Sequence, residues 1–201
     1  LVAVLDYGIG NLRSAQKALQ HVGADARLTS DPEVVASADG VVLPGVGSFG
    51  RCMEAMRATG VDEVAHVAVD AGQPFLGICV GMQLLFDGSE ETPGVAGLGI
   101  LPGQVRRLPD GVKHPQMQWN LLERRGHSAM LDGLGDPLWV YFVHSYAAED
   151  GPATVAVCDY GGPVVAAVEH DHVWATQFHP EKSAVNGLAV LERFVAQLKW
   201  R

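Results

Sequence analysis

The sequence predicts an α/β fold: a single domain over residues 1–201, with a mostly parallel central sheet flanked by helices and additional antiparallel strands in its C-terminal half. Two patterns predict it. From residue 2 to residue 86, short β-branched apolar runs alternate with segments whose apolar residues recur at helical spacing. Beyond residue 94 the helical period is lost, glycine and proline recur, and strand-like runs follow one another until a last helical segment. With 201 residues, 48% hydrophobic and 18% charged, the chain is long and apolar enough to bury a core without disulfides or a structural metal.

Residues 2–5 form a β-branched apolar run stopped by Asp6, which reads as a buried strand. Leu12, Ala15, Leu19 and Val22 then share one face of a helix that Gly23 ends. Residues 26–28 and 41–43 read as further strands. Phe49, Met53 and Met56 mark a helix ended by Gly60, and residues 61–69 a second one. A strand over 75–78 leads into a helix over 80–86. In the second half, strands are expected at 103–108, 138–143, 154–158, 164–169 and 173–177, the last two forming a hairpin across His170-Asp171-His172. Ser183 precedes a final helix with Leu188, Leu191, Phe194, Val195 and Leu198 on one face. There is no internal repeat and no low-complexity linker.

Composition excludes several function classes. A net charge of −9 argues against nucleic acid, whose phosphates call for clustered Lys and Arg; the pairs Arg106-Arg107 and Arg124-Arg125 read as solvated surface. The apolar start stops at Asp6 and has no basic region before it, so neither a signal peptide nor a membrane span is expected. Three cysteines, Cys52, Cys79 and Cys158, with no C-x-x-C pair, fit a reducing compartment, and a cytoplasmic setting is expected. His170-Asp171-His172 reads as a turn, since a metal site needs further ligands that the sequence does not supply. His21, His66 and His127 read as surface residues. No metal and no cofactor is expected.

The most informative stretch is Gly77-Ile78-Cys79-Val80-Gly81-Met82-Gln83. A strand running through G-x-C-x-G into a helix has the form of a nucleophile elbow, a tight turn that exposes the central side chain. A β-carbon at either glycine would crowd that turn. A thiolate at the start of the helix feels the positive end of its dipole. The backbone N–H of Val80, in the first helical turn, is free to meet a developing oxyanion. Cys52, on a Met-rich helix, and Cys158, in an alternating strand, read instead as buried inert thiols.

Phe178-His179-Pro180-Glu181 follows a strand and precedes the last helix. Pro180 biases His179 toward extended backbone, where residues two apart face the same side, so His179 and Glu181 can project together. A free thiol with a pKa near ~8.5 is only a few per cent thiolate at neutral pH, so an adjacent imidazole oriented by a carboxylate makes a useful base. Cys79, His179 and Glu181 then compose an acyl-transfer triad. Pro44-Gly45-Val46-Gly47-Ser48-Phe49 is a glycine-rich turn after a strand; by itself it is a plain turn, and with a nucleophile nearby Gly45, Val46 and Gly47 can offer N–H groups to an oxyanion. It lacks the G-K-[ST] ending of a phosphate loop, and Gly8-Ile9-Gly10 has no third glycine in register for a dinucleotide.

G-x-C-x-G-x-Q at Gly77–Gln83 followed by H-P-E at His179–Glu181 resembles the class I, triad-type glutamine amidotransferases, a flavodoxin-like α/β family. Within them, the chain is similar over essentially its whole length to the glutaminase subunits of imidazole glycerol phosphate synthases. That likeness rests on Asp6-Tyr7-Gly8-Ile9-Gly10-Asn11-Leu12, on Pro44-Gly45-Val46-Gly47-Ser48-Phe49, on Trp119-Asn120 and on Phe142-Val143-His144-Ser145-Tyr146. The resemblance implies hydrolysis of glutamine to glutamate and ammonia through a γ-glutamyl thioester on Cys79, with His179 as base and then acid and Glu181 orienting it. It implies that Gln83, His144, Ser145 and Tyr146 bind the amino-acid part of glutamine, and that the Gly45–Gly47 loop adjusts the oxyanion hole. It also implies a partner, a cyclase subunit built as a (β/α)8 barrel, which takes the ammonia to make imidazole glycerol phosphate and an aminoimidazole carboxamide ribotide in histidine biosynthesis. Trp119 and Asn120 would lie at that interface. One motif departs from the family: P-H-M-G-W-N is here Pro115-Gln116-Met117-Gln118-Trp119-Asn120. A free-standing thiol hydrolase on the same fold would not need Gln83 or His144-Ser145-Tyr146. A non-catalytic module would be expected to lose a triad member. The glutaminase of pyridoxal phosphate synthesis is disfavoured by the P-G-V-G loop and Trp119-Asn120.

Overall fold

A computed structural model describes residues 1–198; positions 199–201 of the expected domain lie outside the described residues. The first half alternates as the sequence pattern requires: β1 (Val2–Leu5), α1 (Leu12–His21), β2 (Ala26–Thr29), α2 (Pro32–Ala36), β3 (Gly40–Gly45), α3 (Phe49–Thr59), α4 (Val61–Asp70), β4 (Phe75–Cys79) and the single turn α5 (Val80–Gln83). The second half is strand-rich: β5 (Gly88–Ser89), β6 (Gln104–Arg107), β7 (Gln116–Leu121), β8 (Glu123–Arg124), β9 (Trp139–His144), β10 (Tyr146–Ala148), β11 (Thr154–Asp159), β12 (Pro163–His170) and β13 (Val173–Thr176). A 3-10 turn, Pro180–Lys182, and α6 (Ala184–Leu198) close the described chain.

One eight-stranded sheet runs in the order β2-β1-β3-β4-β13-β12-β11-β8. It is parallel from β2 to β13 and antiparallel from β13 to β8. Both strand types therefore meet at β13, beside β4. Right-handed crossovers send α1 to one face and α2–α4 to the other, and the packing agrees: α1 meets α6, while α4 meets both α2 and α3. The strands β1, β3, β4 and β13 are buried throughout, and apolar but for Thr176, because helices cover both faces. In α3 the buried residues Phe49, Cys52, Met53 and Met56 recur at helical spacing, and Gly60, with φ +74, ends the helix. β10-β6-β5 form a small sheet, and β7 pairs with β9 as a two-stranded ribbon.

Four expectations need amendment. The helix expected over 80–86 stops at Gln83. Past it the N–H groups of Leu85 and Phe86 turn back on carbonyls three residues earlier, Met82 O and Gln83 O at 3.2 Å, and the carbonyls of Leu84, Leu85 and Phe86 accept from Leu98, Leu101 and Gly99. Helix α2 had a readable start that the periodicity alone misses: Asp31 caps it by accepting from Glu33 N at 2.9 Å, and Pro32 occupies the first turn. Residues 116–121 and 146–148 are strands whose pairing is wholly long-range, with β9 and β6 respectively. Ser183 does not cap α6 with its side chain; its hydroxyl donates to His179 O at 2.7 Å.

The tightest packing joins β3, β4 and α5. A β-carbon at Gly81 would lie 1.9 Å from Leu43 O, so the helix start rests directly on the β3 backbone. Gly81→Ala is therefore expected to destabilise the protein by about 3 kcal/mol or more, since neither backbone can yield locally. Urea denaturation of the variant against the native chain measures it.

Candidate active site

Cys79 ends β4, opposite Gly45 at the end of β3. Its backbone sits at φ +57, ψ −113, a conformation that L-residues rarely adopt. The strain follows from local construction: β4 must turn at once into α5, and α5 is pressed against β3 through Gly81. The turn carries the side chain off the strand end into a cleft at the carboxyl edge of the sheet, where ligands of open α/β folds bind. Val80, the first residue of α5, has no intrahelical acceptor for its N–H.

His179 and Glu181 reach this cleft from the segment after β13. His179 N donates to Tyr141 O at 3.0 Å, Ser183 Oγ donates to His179 O at 2.7 Å, and Tyr141 N donates to Ser183 Oγ at 2.9 Å. These bonds fix the backbone on both sides of the imidazole. Nδ1 of His179 donates to Glu181 Oε1 at 2.8 Å, with both side chains 2% exposed. Asn11 Nδ2 donates weakly to the same oxygen at 3.4 Å. His179 Nε2 has no other partner and faces the Cys79 sulfur. Burial works against a charge on this ring, yet the Cys79 sulfur and the Glu181 carboxylate outweigh it and push its pKa up to about 9.

A cavity of about 390 Å³ opens over the sulfur, lined by Val46, Gly47, Cys79, Val80, Gln83, Glu91, Pro115, Val143, His144, Ser145, Tyr146, His179 and Lys182. The sequence-predicted nucleophile and base, Val46, Gly47 and Val80 of the oxyanion group and all four predicted substrate contacts therefore surround one space of small-molecule size. Gly45 lies just behind it, where a β-carbon would strike Gly81 N at 2.6 Å. Cys52 lies under the loop and donates to Val46 O at 3.2 Å, and Tyr7 Oη donates to Pro44 O at 2.8 Å. Burial raises the pKa of both groups, so both keep their protons.

Trp119 and Asn120 stand outside the cavity. Trp119 is 45% exposed on the outer face of the β7–β9 ribbon, edge-on to Tyr141. Asn120 turns to the other face, where its amide donates to Asp159 O at 2.9 Å. Gln116, read as part of a surface motif, is fully buried. His172 bonds Val69 O at 2.9 Å, which ties the turn His170-Asp171-His172 to α4. Two residues of the site escaped the sequence reading. Gln177 is fully buried, accepts from Gln83 Nε2 at 3.0 Å and points its amide at the Cys79 sulfur at 3.8 Å. A polar residue at the end of an apolar strand, two before His179, was the available signal. Glu91 brings a carboxylate to the cavity and accepts from Phe49 N at 2.8 Å; nothing near it in the sequence marks it out.

A family model described as "Glutamine amidotransferase class-I" matches residues 3–198. The chain is 49% identical over 196 residues to the imidazole glycerol phosphate synthase subunit HisH of Methanothermobacter thermautotrophicus, covering 97% of this chain and 98% of that protein. It is 50% identical over 201 residues to the subunit of the same name from Deinococcus radiodurans, covering 98% and 94%. Among solved structures, one described as a glutamine amidotransferase superposes with a TM-score of 0.78 at 22% identity, covering 98% of each chain. The structure of PurLQS from Thermotoga maritima gives 0.77 at 19%, covering 98% of each chain; at these identities the two show a shared fold.

The raised pKa of His179 has a consequence for stability. The ring holds its proton more tightly when folded, about 9 against an ordinary 6.5. Its stabilising contribution is then complete below pH about 6.5 and lost as pH rises through about 9. Thermal melts across that window are expected to fall in the native chain and to fall much less in Cys79→Ala, which lacks the sulfur beside the ring.

Proposed function

We infer the roles of the site residues from one premise: the chain belongs to the class-I glutamine amidotransferase family. It hydrolyses glutamine to glutamate and ammonia as the glutaminase subunit of imidazole glycerol phosphate synthase, and it delivers the ammonia to a cyclase partner subunit. The observation that carries the mechanism is the hydrogen bond from His179 Nδ1 to Glu181 at 2.8 Å, which leaves Nε2 directed at a cysteine held in a positive-φ turn.

In the reaction we propose, the Cys79 thiol passes its proton to His179 Nε2 and the sulfur attacks the side-chain amide carbon of glutamine. The carbonyl oxygen becomes an oxyanion, held by the N–H of Val80 and by N–H groups of the Gly45-Val46-Gly47 loop. His179 Nε2–H donates its proton to the amide nitrogen, the C–N bond breaks, and ammonia leaves a γ-glutamyl thioester on Cys79. The neutral ring then takes a proton from water, which attacks the thioester; collapse breaks the C–S bond, releases glutamate and restores the sulfur and the protonated ring. Glu181 keeps Nδ1–H engaged, so that Nε2 always faces the chemistry. Gln83, His144, Ser145 and Tyr146 hold the amino-acid end, and Glu91, a carboxylate in the same cavity, suits the α-ammonium.

The partner is proposed to be a (β/α)8 barrel that docks on the outer face of the β7–β9 ribbon. Cross-strand pairing there aligns Met117 with Val143, Trp119 with Tyr141 and Leu121 with Trp139, an apolar ladder that ends at the mouth of the cavity. Met117 is 61% exposed and Trp119 and Trp139 are each 45% exposed, an unusual apolar display for a surface facing water. Asn120 backs the ribbon from the other face through Asp159. Three buried free thiols fit a cytoplasmic setting.

Ammonia release from glutamine, measured with saturating cyclase, is expected to vanish in Cys79→Ala and to drop roughly 100-fold in Glu181→Gln, which weakens the orientation and charge support of the ring. Equal release by Cys79→Ala and the native chain would remove the nucleophile assignment. The native kcat/KM is expected to decline as pH rises through about 9, where His179 loses the proton that the departing nitrogen needs. Trp119→Ala is expected to weaken cyclase binding by about 2 kcal/mol in a titration, the size of a central aromatic anchor.

A further inference from the structure

Gln116 and His144 begin and end the two strands of the ribbon and stand directly opposite one another. Both side chains face inward, away from the apolar ladder, and they are 0% and 6% exposed. His144 Nδ1 lies 2.8 Å from Tyr146 O, and its Nε2 lies 2.9 Å from the Gln116 side-chain oxygen as placed. A carbonyl oxygen only accepts, so Nδ1 carries a proton. Burial, with the nearby His179, lowers the His144 pKa to about 4, so the ring is neutral and Nε2 presents a lone pair. Whatever meets Nε2 must therefore donate. A glutamine amide can turn either end toward a neighbour; turned over from the placement in which Gln116 Oε1 faces His144 and Nε2 donates to Cys158 Sγ at 3.7 Å, it offers its NH2 to His144 and its oxygen to the Cys158 thiol. Cys158 retains its proton for that bond, since burial pushes its pKa up to about 11.

With the amide so turned, the donors run in order. Cys158 S–H meets Gln116, Gln116 N–H meets His144, and His144 Nδ1–H meets Tyr146 O. Tyr146 O also accepts from Gln83 Nε2 at 2.8 Å, Gln83 donates to Gln177 at 3.0 Å, and Gln177 donates toward the Cys79 sulfur at 3.8 Å. Every side chain of this series is at most 6% exposed, so water cannot replace a missing donor.

We propose that Gln116 is a positioning residue for glutamine binding, which through the His144 imidazole holds the Tyr146 carbonyl where it aligns the Gln83 amide beside Cys79. The proposal rests on the glutaminase reading above. Without the Gln116 NH2, the buried His144 Nε2 loses its donor: opposite an acceptor the proton gains by moving to Nε2 and the bond to Tyr146 O is lost, and opposite an apolar group the ring loses its anchor, so that the wall of the cavity formed by residues 144–146 is no longer set for the substrate. The triad receives no contact from Gln116, so the chemical step is untouched.

Three variants test this in the complex with the cyclase, together with the His144 ring 15N shifts of the isolated full chain. Gln116→Met keeps the volume and removes the donor; it is expected to raise the KM for glutamine about tenfold while kcat stays within about twofold. Gln116→Glu keeps the shape but only accepts; a similar rise in KM is expected, with the His144 proton on Nε2. Gln116→His restores a ring N–H that can donate to His144 and is expected to hold KM within about threefold of native. Native His144 should show its proton on Nδ1. An unchanged KM in Gln116→Met, a fall in kcat at constant KM, or a native ring protonated on Nε2 would overturn the proposal. The ring shifts decide the matter even if Gln116→Met does not fold. Absence of ammonia release by the native complex would instead sink the glutaminase reading and leave the tautomer assignment standing.

Discussion

The contact on which the rest of the site depends is the backbone-to-backbone approach of β3, β4 and the first turn of α5. No side chain fits there: a β-carbon on Gly81 would meet Leu43 O at 1.9 Å, and one on Gly45 would meet Gly81 N at 2.6 Å. Because α5 starts flush against β3, the residue joining β4 to α5 has no room for ordinary strand or helix geometry, and Cys79 takes φ +57. Such strain costs about 1–3 kcal/mol and persists only where surrounding packing over-determines it. Here it does: Leu43, Phe75, Leu76, Ile78 and Met82 around the turn are all buried. One steric constraint thus lifts the sulfur into the cleft, frees the Val80 N–H and sets the Gly45–Gly47 loop beside both.

The antiparallel half completes what the parallel half begins. β13 is added to the sheet at β4, parallel to it and in register with residues 75–78. Chain leaving β13 therefore emerges next to Cys79 and brings Gln177, His179 and Glu181 to it in the space of five positions. The β7–β9 ribbon closes the other side, apolar outside and packed inside through Val140 and Phe142. Its inward pair, Gln116 and His144, ties the wall of the cavity to the core, while its outward pairs leave an apolar face beside the cavity mouth. On the proposed reading, His144 meets the substrate from the inner side and the partner meets the outer ladder, whose Val143 reaches the cavity.

Much of the site was legible in sequence because its logic is short-range. G-x-C-x-G encodes a turn within five residues, and H-P-E sets an imidazole and a carboxylate on one side of extended backbone within three. The strand-helix alternation from residue 2 to residue 79 was equally plain, since buried parallel strands and amphipathic helices leave strong apolar patterns. The helix expected over 80–86 ends at Gln83, and residues 84–86 form tight turns tied by their carbonyls to residues 98–101, an anchor no local pattern contains. Glu91 was invisible for the same kind of reason, and Gln177 carried only a faint signal, since each matters through what lies across the fold from it. Gln116 looked like a surface departure from a family motif, because proline on one side and Met117 on the other conceal that the strand turns its side chain inward.

From the sequence alone came Cys79, His179 and Glu181, the proposed nucleophile, base and orienting carboxylate, and the α/β alternation that brings them to one end of a sheet. Each is written in contiguous residues whose sterics and hydrogen bonding act over a few positions. The tertiary structure decided how those pieces are held: the positive φ at Cys79, the shared backbone anchors of His179, and the hydrogen bonds that meet at Tyr146 O from His144 on one side and Gln83 on the other. These depend on groups 28, 63 and 94 positions apart, such as His144 with Gln116, Gln83 with Tyr146 and Gln83 with Gln177. Residues so distant in the chain meet only after burial has removed water as a partner, and only then do their donors and acceptors have to match.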